Sequence, residues 1–244
     1  MLPEPFLTKP IAHRGLHGRG APENSNPACI AAMHAGYGIE LDLQLSADGE
    51  AMVFHDATLD RMTDVTGPVR ACNAEVLTAI PLRGSQTAIP TLNQVLSEVD
   101  GKVPLLIELK DQSGKRGGSD GMLEKAVAEA LESYDGPVAV MSFNPSMVAQ
   151  MAQLSPETPR GLTTGAFDWP DLAPEAAEHL RAIADFGRVG ASFISHDHRH
   201  LDARPVTALR TAGVPILTWT IRSAEEEAKA REIAQNVTFE GYLP

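Results

Sequence analysis

Cysteine is scarce: Cys29 and Cys72 are the only two among 244 residues, which excludes the disulfide framework of a small secreted scaffold and leaves reduced thiols as the plainer reading. Long apolar runs are missing as well. No segment approaches the roughly 20 apolar residues that a membrane-spanning helix needs, and the start, Met1 to Pro10, has neither the basic opening nor the continuous apolar stretch of a signal peptide. A cytoplasmic protein without stable membrane insertion is therefore expected. Positive charge is in deficit too, with 20 Lys and Arg against 32 Asp and Glu, for a formal net charge of -12. Such a field repels nucleic acid and anionic membranes at long range. The expected partner is a small molecule, and a phosphate ester remains admissible if local cations capture it.

Linkers, internal repeats and low-complexity tracts are also missing, and Gly and Pro are spread through the chain. Residues 1–244 thus read as one domain. Apolar runs that fit buried strands recur near 10–12, 38–43, 104–109, 137–142, 160–164, 191–195, 214–219 and 237–240, with helical patterns between most of them. Asn26-Pro27 opens a helix that Gly36 closes, Pro205 and Gly213 bracket another, and Ser223 with Glu226 makes a capping box for a stretch reaching Ala234. Eight strands alternating with helices predict an α/β fold, a closed TIM (β/α)8 barrel. No helical pattern follows the last strand, so a final helix is expected to be missing or replaced by the N-terminal segment.

One segment breaks the alternation. After the second strand, Asp48-Gly49 is a turn signal between two short strand-like arms, which predicts a β-hairpin excursion. If residues whose numbers sum to about 97 face one another across that turn, His55 comes back opposite Asp42.

Polar residues closing apolar runs in such a barrel are candidates for catalysis. His13, Glu40, Asp42, Glu108 and Lys110 all satisfy this condition. Glu40 and Asp42 share one face of a strand, as do Glu108 and Lys110, while Leu41 and Leu109 point the other way. Three converging carboxylates repel one another unless a cation lies between them. With oxygen donors and no thiolate, the set favours one hard divalent cation, Mg²⁺ or Ca²⁺; salt bridges at a barrel rim are the alternative for any one of them. Arg14 and Lys110 could neutralise phosphate oxygens, and two histidines, His13 and His55, could act as general acid and base near neutral pH.

These residues also carry a resemblance. Ala12-His13-Arg14-Gly15, Pro22-Glu23-Asn24, Glu40-Leu41-Asp42, Asp48-Gly49 and Val53-Phe54-His55-Asp56, followed by Pro90-Thr91-Leu92, Ile107-Glu108-Leu109-Lys110, Ser142-Phe143-Asn144 and Trp219-Thr220, resemble the glycerophosphodiester phosphodiesterase family across nearly the whole chain. The resemblance implies a barrel that hydrolyses glycerophosphodiesters to glycerol 3-phosphate and an alcohol. It implies Glu40, Asp42 and Glu108 as metal ligands, His13 and His55 as the acid/base pair, Arg14 and Lys110 as phosphate contacts, and Trp219 with Phe143 as substrate-pocket walls. Core packing is the competing account of both aromatics. Asn24 is expected to orient His13 or Arg14, or simply to lead into a helix.

The chain departs from the family after its last strand, where Phe239-Glu240-Gly241-Tyr242 replaces an aspartate- and proline-containing tail. Two other readings stand beside the first: a lysophospholipase D or sphingomyelinase D-like lipid phosphodiesterase or lyase, and a catalytically silent barrel that binds a phosphodiester. His196-Asp197-His198-Arg199-His200 reads as a polar loop at the barrel mouth, as does Lys115-Arg116-Gly117-Gly118.

Overall fold

The computed structural model describes residues 1–18, 20–113, 118–170 and 172–244. Among them, nine strands follow in chain order: β1 (Ile11–Ala12), β2 (Gly38–Leu45), β3 (Ala51–Val53), β4 (Leu105–Leu109), β5 (Val138–Ser142), β6 (Arg160–Thr164), β7 (Phe193–Asp197), β8 (Ile216–Ile221) and β9 (Asn236–Phe239). All except β3 pair in parallel in the order β1-β9-β8-β7-β6-β5-β4-β2, and β1 also pairs with β2. The sheet therefore closes into an eight-stranded TIM barrel, one strand for each expected apolar run.

The helices are α1 (Pro5–Thr8), α2 (Asn26–Ala35), α3 (Ala74–Leu77), α4 (Leu92–Val99), α5 (Met122–Leu131), α6 (Pro145–Leu154), α7 (Pro174–Arg181), α8 (Arg204–Thr211) and α9 (Ala224–Ala230). Ser25 Oγ accepts the Ala28 N–H to cap α2, and Gly36 closes it at φ 79°. At α9, Ser223 Oγ accepts the Glu226 N–H, but the Glu226 carboxylate reaches back to the Arg222 N–H. The expected capping box is thus displaced by one residue, and α9 ends at Ala230, short of Ala234.

The hairpin is real, with a register one residue from the expected one. Leu43 faces Val53, Gln44 faces Met52 and Leu45 faces Ala51, and beyond them the Phe54 N–H donates to the Asp42 carbonyl at 2.9 Å. Phe54, not His55, therefore lies opposite Asp42. The cause is the turn, which contains Ala47, Asp48 and Gly49: Gly49 adopts φ 89°, and Asp48 Oδ1 is fixed by the Ser46 hydroxyl at 2.6 Å and the Ala74 N–H at 2.8 Å.

Strand alternation sorts the side chains into two layers. Ile39, Leu41, Leu43, Leu105, Ile107 and Leu109 belong to the core shared with the helices. The opposite face of the same strands turns into the barrel, where Ile11, Leu106, Ala139, Met141, Phe193 and Leu217 pack with Leu2 and Phe6. Segment α1 is held there by Asn236 Nδ2, which donates to the carbonyls of Phe6 and Lys9 at 2.8 and 2.6 Å. The barrel thus has an apolar floor, with the N-terminal segment as its plug. Further along the inward rows the residues become polar: Leu106 gives way to Glu108, and Ile11 to His13.

At β7 the strand continues into His196 and Asp197, both buried, and His198–His200 forms a single 3-10 turn. The segment is thus strand and turn where a polar loop was expected, although His198 does reach the barrel mouth. His196 tolerates burial because Nδ1 pairs with the Thr164 hydroxyl at 2.7 Å and Nε2 with the His200 carbonyl at 3.1 Å. Of the second expected mouth loop, Lys115, Arg116 and Gly117 lie outside the described residues.

Candidate active site

All nine residues singled out from the sequence line one cavity of about 370 Å³ at the carboxyl ends of the strands: His13, Arg14, Glu40, Asp42, His55, Glu108, Lys110, Phe143 and Trp219. Parallel strands deliver eight of them there because each inward row ends at the same rim, and the hairpin returns His55 from the end of antiparallel β3. The turn after β1 is tightly specified. Arg14 and Gly15 both have positive φ, 57° and 78°, and a Cβ on Gly15 would stand 2.8 Å from the Ala28 carbonyl carbon. Glycine alone permits α2 to approach this closely.

Glu40, Asp42 and Glu108 are buried, and each offers an oxygen within 4.8 Å of the others. The Arg14 N–H donates to Glu40 Oε2 at 3.0 Å, and the Arg14 Nε lies 3.2 Å from Asp42 Oδ2. Lys110 Nζ lies 2.7 Å from Asp42 Oδ1 and also pairs with Glu108. Burial raises the Glu40 carboxyl well above the usual range, and repulsion from Asp42 and Glu108 adds to it. Glu108 is likewise raised by burial, although Lys110 opposes the shift. At Asp42 burial is outweighed by Lys110, His55 and Arg14, and its carboxyl is held low. The Asn24 side chain supports this ionised form: Nδ2 donates to Asp42 Oδ2 at 2.8 Å, and Oδ1 accepts the Asp42 N–H at 3.2 Å. Asn24 therefore orients Asp42, contrary to the expectation that its side chain serves His13 or Arg14; only its backbone N–H meets the Arg14 carbonyl.

Each histidine has a carboxylate on its Nδ1. His13 pairs with Glu240 Oε2 at 2.8 Å, and His55 with Asp56 Oδ1 at 2.7 Å. Burial lowers both imidazole pKa values; the Glu240 hydrogen bond resists this at His13, while Lys110 reinforces it at His55. The carboxylates respond in turn. Glu240 is held at about 2, chiefly by its hydrogen bond to His13, and Asp56 at about 2, chiefly by its hydrogen bond to Arg61.

Phe143 and Trp219 form the apolar wall, their ring centroids 5.5 Å apart and nearly perpendicular. Phe143 also packs edge-on with Phe167 and Trp169, so it is both wall and part of an aromatic cluster. Trp219 Nε1 donates to the Ser195 carbonyl at 2.9 Å, which fixes the indole plane. His198 reaches the cavity from the 3-10 turn, whereas His196 does not line it.

Sequence reasoning passed over three members of this arrangement. Glu240 closes the last apolar run, the same signal that picked out the others. Glu23 salt-bridges Arg14 at 2.7 Å, and Arg61 grips both Glu23 and Asp56. Arg61 lies five residues beyond the strand-end motif and carried no comparable signal.

Comparison with known proteins gives one picture. Residues 13–237 match the glycerophosphoryl diester phosphodiesterase family. The YhdW protein of Bacillus subtilis is 30% identical over 90% of this chain and 88% of its own length. A glycerophosphodiester phosphodiesterase of Bacillus altitudinis is 34% identical over 68% of this chain and 71% of its own. Among solved structures, an Oleispira antarctica phosphodiesterase in complex with the product sn-glycerol-3-phosphate is similar with a TM-score of 0.80 and 26% identity, covering 96% of this chain and 93% of that one.

Proposed function

This chain belongs to the glycerophosphoryl diester phosphodiesterase family, and from that premise we propose that it hydrolyses glycerophosphodiesters with a divalent cation held by Glu40, Asp42 and Glu108 and with His13 and His55 as the acid/base pair. The observation that carries this reading is the packing of three buried carboxylates within 4.8 Å, inside a cavity that His13, His55, Arg14 and Lys110 also line. The donor set fits a hard cation: all oxygen, buried, and with two of its three carboxyls pushed up by burial in each other's field. When bound, Mg²⁺ or Ca²⁺ supplies positive charge against the non-bridging phosphate oxygens.

The remaining work falls to the protein's own groups. Arg14 offers a planar fork to two phosphate oxygens, and Lys110 a point charge at the other side of Asp42. Hydrogen bonds from Nδ1–H of His13 and His55 to Glu240 and Asp56 leave each Nε2 free to exchange a proton with substrate. One imidazole takes the proton of the neighbouring glycerol hydroxyl as its oxygen attacks phosphorus; the other protonates the departing alkoxide. The resulting cyclic phosphate is opened by water with the proton transfers reversed, giving glycerol 3-phosphate. Phe143 and Trp219 bound the space for the alcohol.

The purified protein, assayed with glycerophosphocholine and glycerophosphoethanolamine, is expected to release glycerol 3-phosphate with Mg²⁺ or Ca²⁺ and to stop with chelator. Absence of product under every divalent metal overturns the reading. A substrate lacking the neighbouring hydroxyl is expected to be nearly inert; its normal turnover removes the cyclic step. No helix among the described residues is long and apolar enough to cross a membrane; a cytoplasmic location is part of the same proposal.

A further inference from the structure

Arg14 and His55 sit on separate segments, one just after β1 and the other just after β3, yet a single guanidinium outside the reacting groups ties them together. Arg61 Nε lies 2.7 Å from Asp56 Oδ2, and its Nη2 lies 2.9 Å from Asp56 Oδ1. The same side chain places Nη1 2.9 Å from Glu23 Oε2 and Nη2 2.6 Å from Glu23 Oε1. It thus grips two carboxylates with two prongs each. Both carboxylates also face the site: Glu23 Oε1 accepts from Arg14 Nη1 at 2.7 Å, and Asp56 Oδ1 pairs with His55 Nδ1 at 2.7 Å. An unbroken chain runs Arg14, Glu23, Arg61, Asp56, His55.

We propose that Arg61 is a positioning residue for the reaction: by holding Glu23 and Asp56 at once, it sets together the angle at which Arg14 meets the phosphate and the angle at which His55 meets the reacting oxygen. The inference rests on the phosphodiesterase reading above. A guanidinium has five N–H donors in a rigid plane; four go to the two carboxylates, and Nη1 also lies 3.1 Å from Met62 Sδ. Arg61 therefore has no donor left for substrate and acts through its neighbours. A lysine restores the charge but cannot fork to both partners. Without Arg61, Glu23 and Asp56 become two adjacent carboxylates with one bridging cation fewer, so each is free to turn and take its client with it.

The segment itself is anchored independently. Arg83 Nη1 donates to the Arg61 carbonyl at 2.9 Å, and Arg83 also binds the carbonyls of Asp60 and Thr63. Side-chain changes at Arg61 should leave this backbone in place.

The test uses the full-length protein with its divalent cation, after wild-type release of glycerol 3-phosphate has been established. Arg61→Lys and Arg61→Met are both expected to lose about 100-fold in kcat, the cost of misplacing reacting groups by about an ångström, with melting temperatures near wild type. Added guanidinium ion is expected to recover part of the Arg61→Met activity, and ammonium ion none. In a double-mutant cycle, the effects of Glu23→Gln and Asp56→Asn on kcat are expected to be strongly non-additive with Arg61 present and additive in the Arg61→Met background. Should an Arg61 variant fail to fold, the cycle in the wild-type background decides alone. A kcat within about twofold of wild type in both Arg61 variants, or additivity with Arg61 present, overturns the proposal. A silent wild type sinks the phosphodiesterase reading instead, and the two failures are distinct.

Discussion

Glu240 Oε2 stands 2.8 Å from His13 Nδ1 although 227 positions separate the two residues. The barrel closes through β1 and β9, so the first strand's histidine meets the last strand's carboxylate across that seam. His13 is therefore oriented by a carboxylate that the segment after β9 supplies.

Glu240→Gln should retain the hydrogen bond and lose the charge. Because Glu240 supports the protonated imidazole against burial, its neutralisation lowers the His13 pKa further. We expect a kcat lower by about 10- to 100-fold and any His13-dependent limb of the pH–rate profile displaced to lower pH. A profile superimposable on wild type would remove Glu240 from the mechanism.

Divalent cation should stabilise the fold as well as the reaction. A cation at 100 times its dissociation constant adds about 2.7 kcal/mol to a folded state that alone binds it. Thermal melts with Mg²⁺ or Ca²⁺ should shift upward for wild type and not for Asp42→Asn, whose partners Lys110 and Asn24 would then lack an ionised acceptor. Equal shifts in both proteins would place the cation elsewhere.

Gly15→Ala and Gly36→Ala separate two costs of adding a methyl group. Gly36, at φ 79° with no atom within 4 Å of an added Cβ, carries only conformational strain, about 1–3 kcal/mol. Gly15 adds a clash with the Ala28 backbone at 2.8 Å in the turn that carries His13 and Arg14. Urea unfolding should therefore show the larger loss for Gly15→Ala, together with a fall in kcat absent from Gly36→Ala. Equal stability and activity of the two would refute the tight approach.

Burial drops the His196 pKa from 6.5 to about 4. Its folded form favours the neutral ring, so this contribution to stability is complete above pH 6.5, is lost progressively as pH falls toward 4, and amounts to about 3 kcal/mol. An NMR titration should show His196 still neutral at pH 5.5, and His196→Gln should flatten the decline in melting temperature between pH 6.5 and 5. A ring titrating near 6.5 would contradict the burial.

The barrel was legible because each of its eight parallel strands is buried on both faces, which leaves an apolar run in the sequence. The carboxylates and lysine of the candidate site were legible for a related reason: Glu40, Asp42, Glu108 and Lys110 interrupt or end such runs in steps of two. What escaped was set by side-chain geometry. Arg61 has no place in a strand pattern, and its role depends on two carboxylates 33 residues apart along the chain. The hairpin register escaped by one residue because Ala47 joined Asp48 and Gly49 in the turn, a choice fixed by hydrogen bonds from Ser46 and Ala74 to one aspartate oxygen.

The plug formed by Leu2 and Phe6 reaches the chemistry without touching it. Together with Phe193, Leu106 and Leu217, it makes the lower barrel a poorly polarisable base beneath the carboxylates. Field lines from Glu40, Asp42 and Glu108 are weakly screened on that side and emerge mainly toward the mouth. A divalent cation arriving from the mouth thus meets negative charge whose influence is directed toward it, and a hydrated floor, as in Phe6→Ser, would dissipate that influence with every side chain of the candidate site still in place.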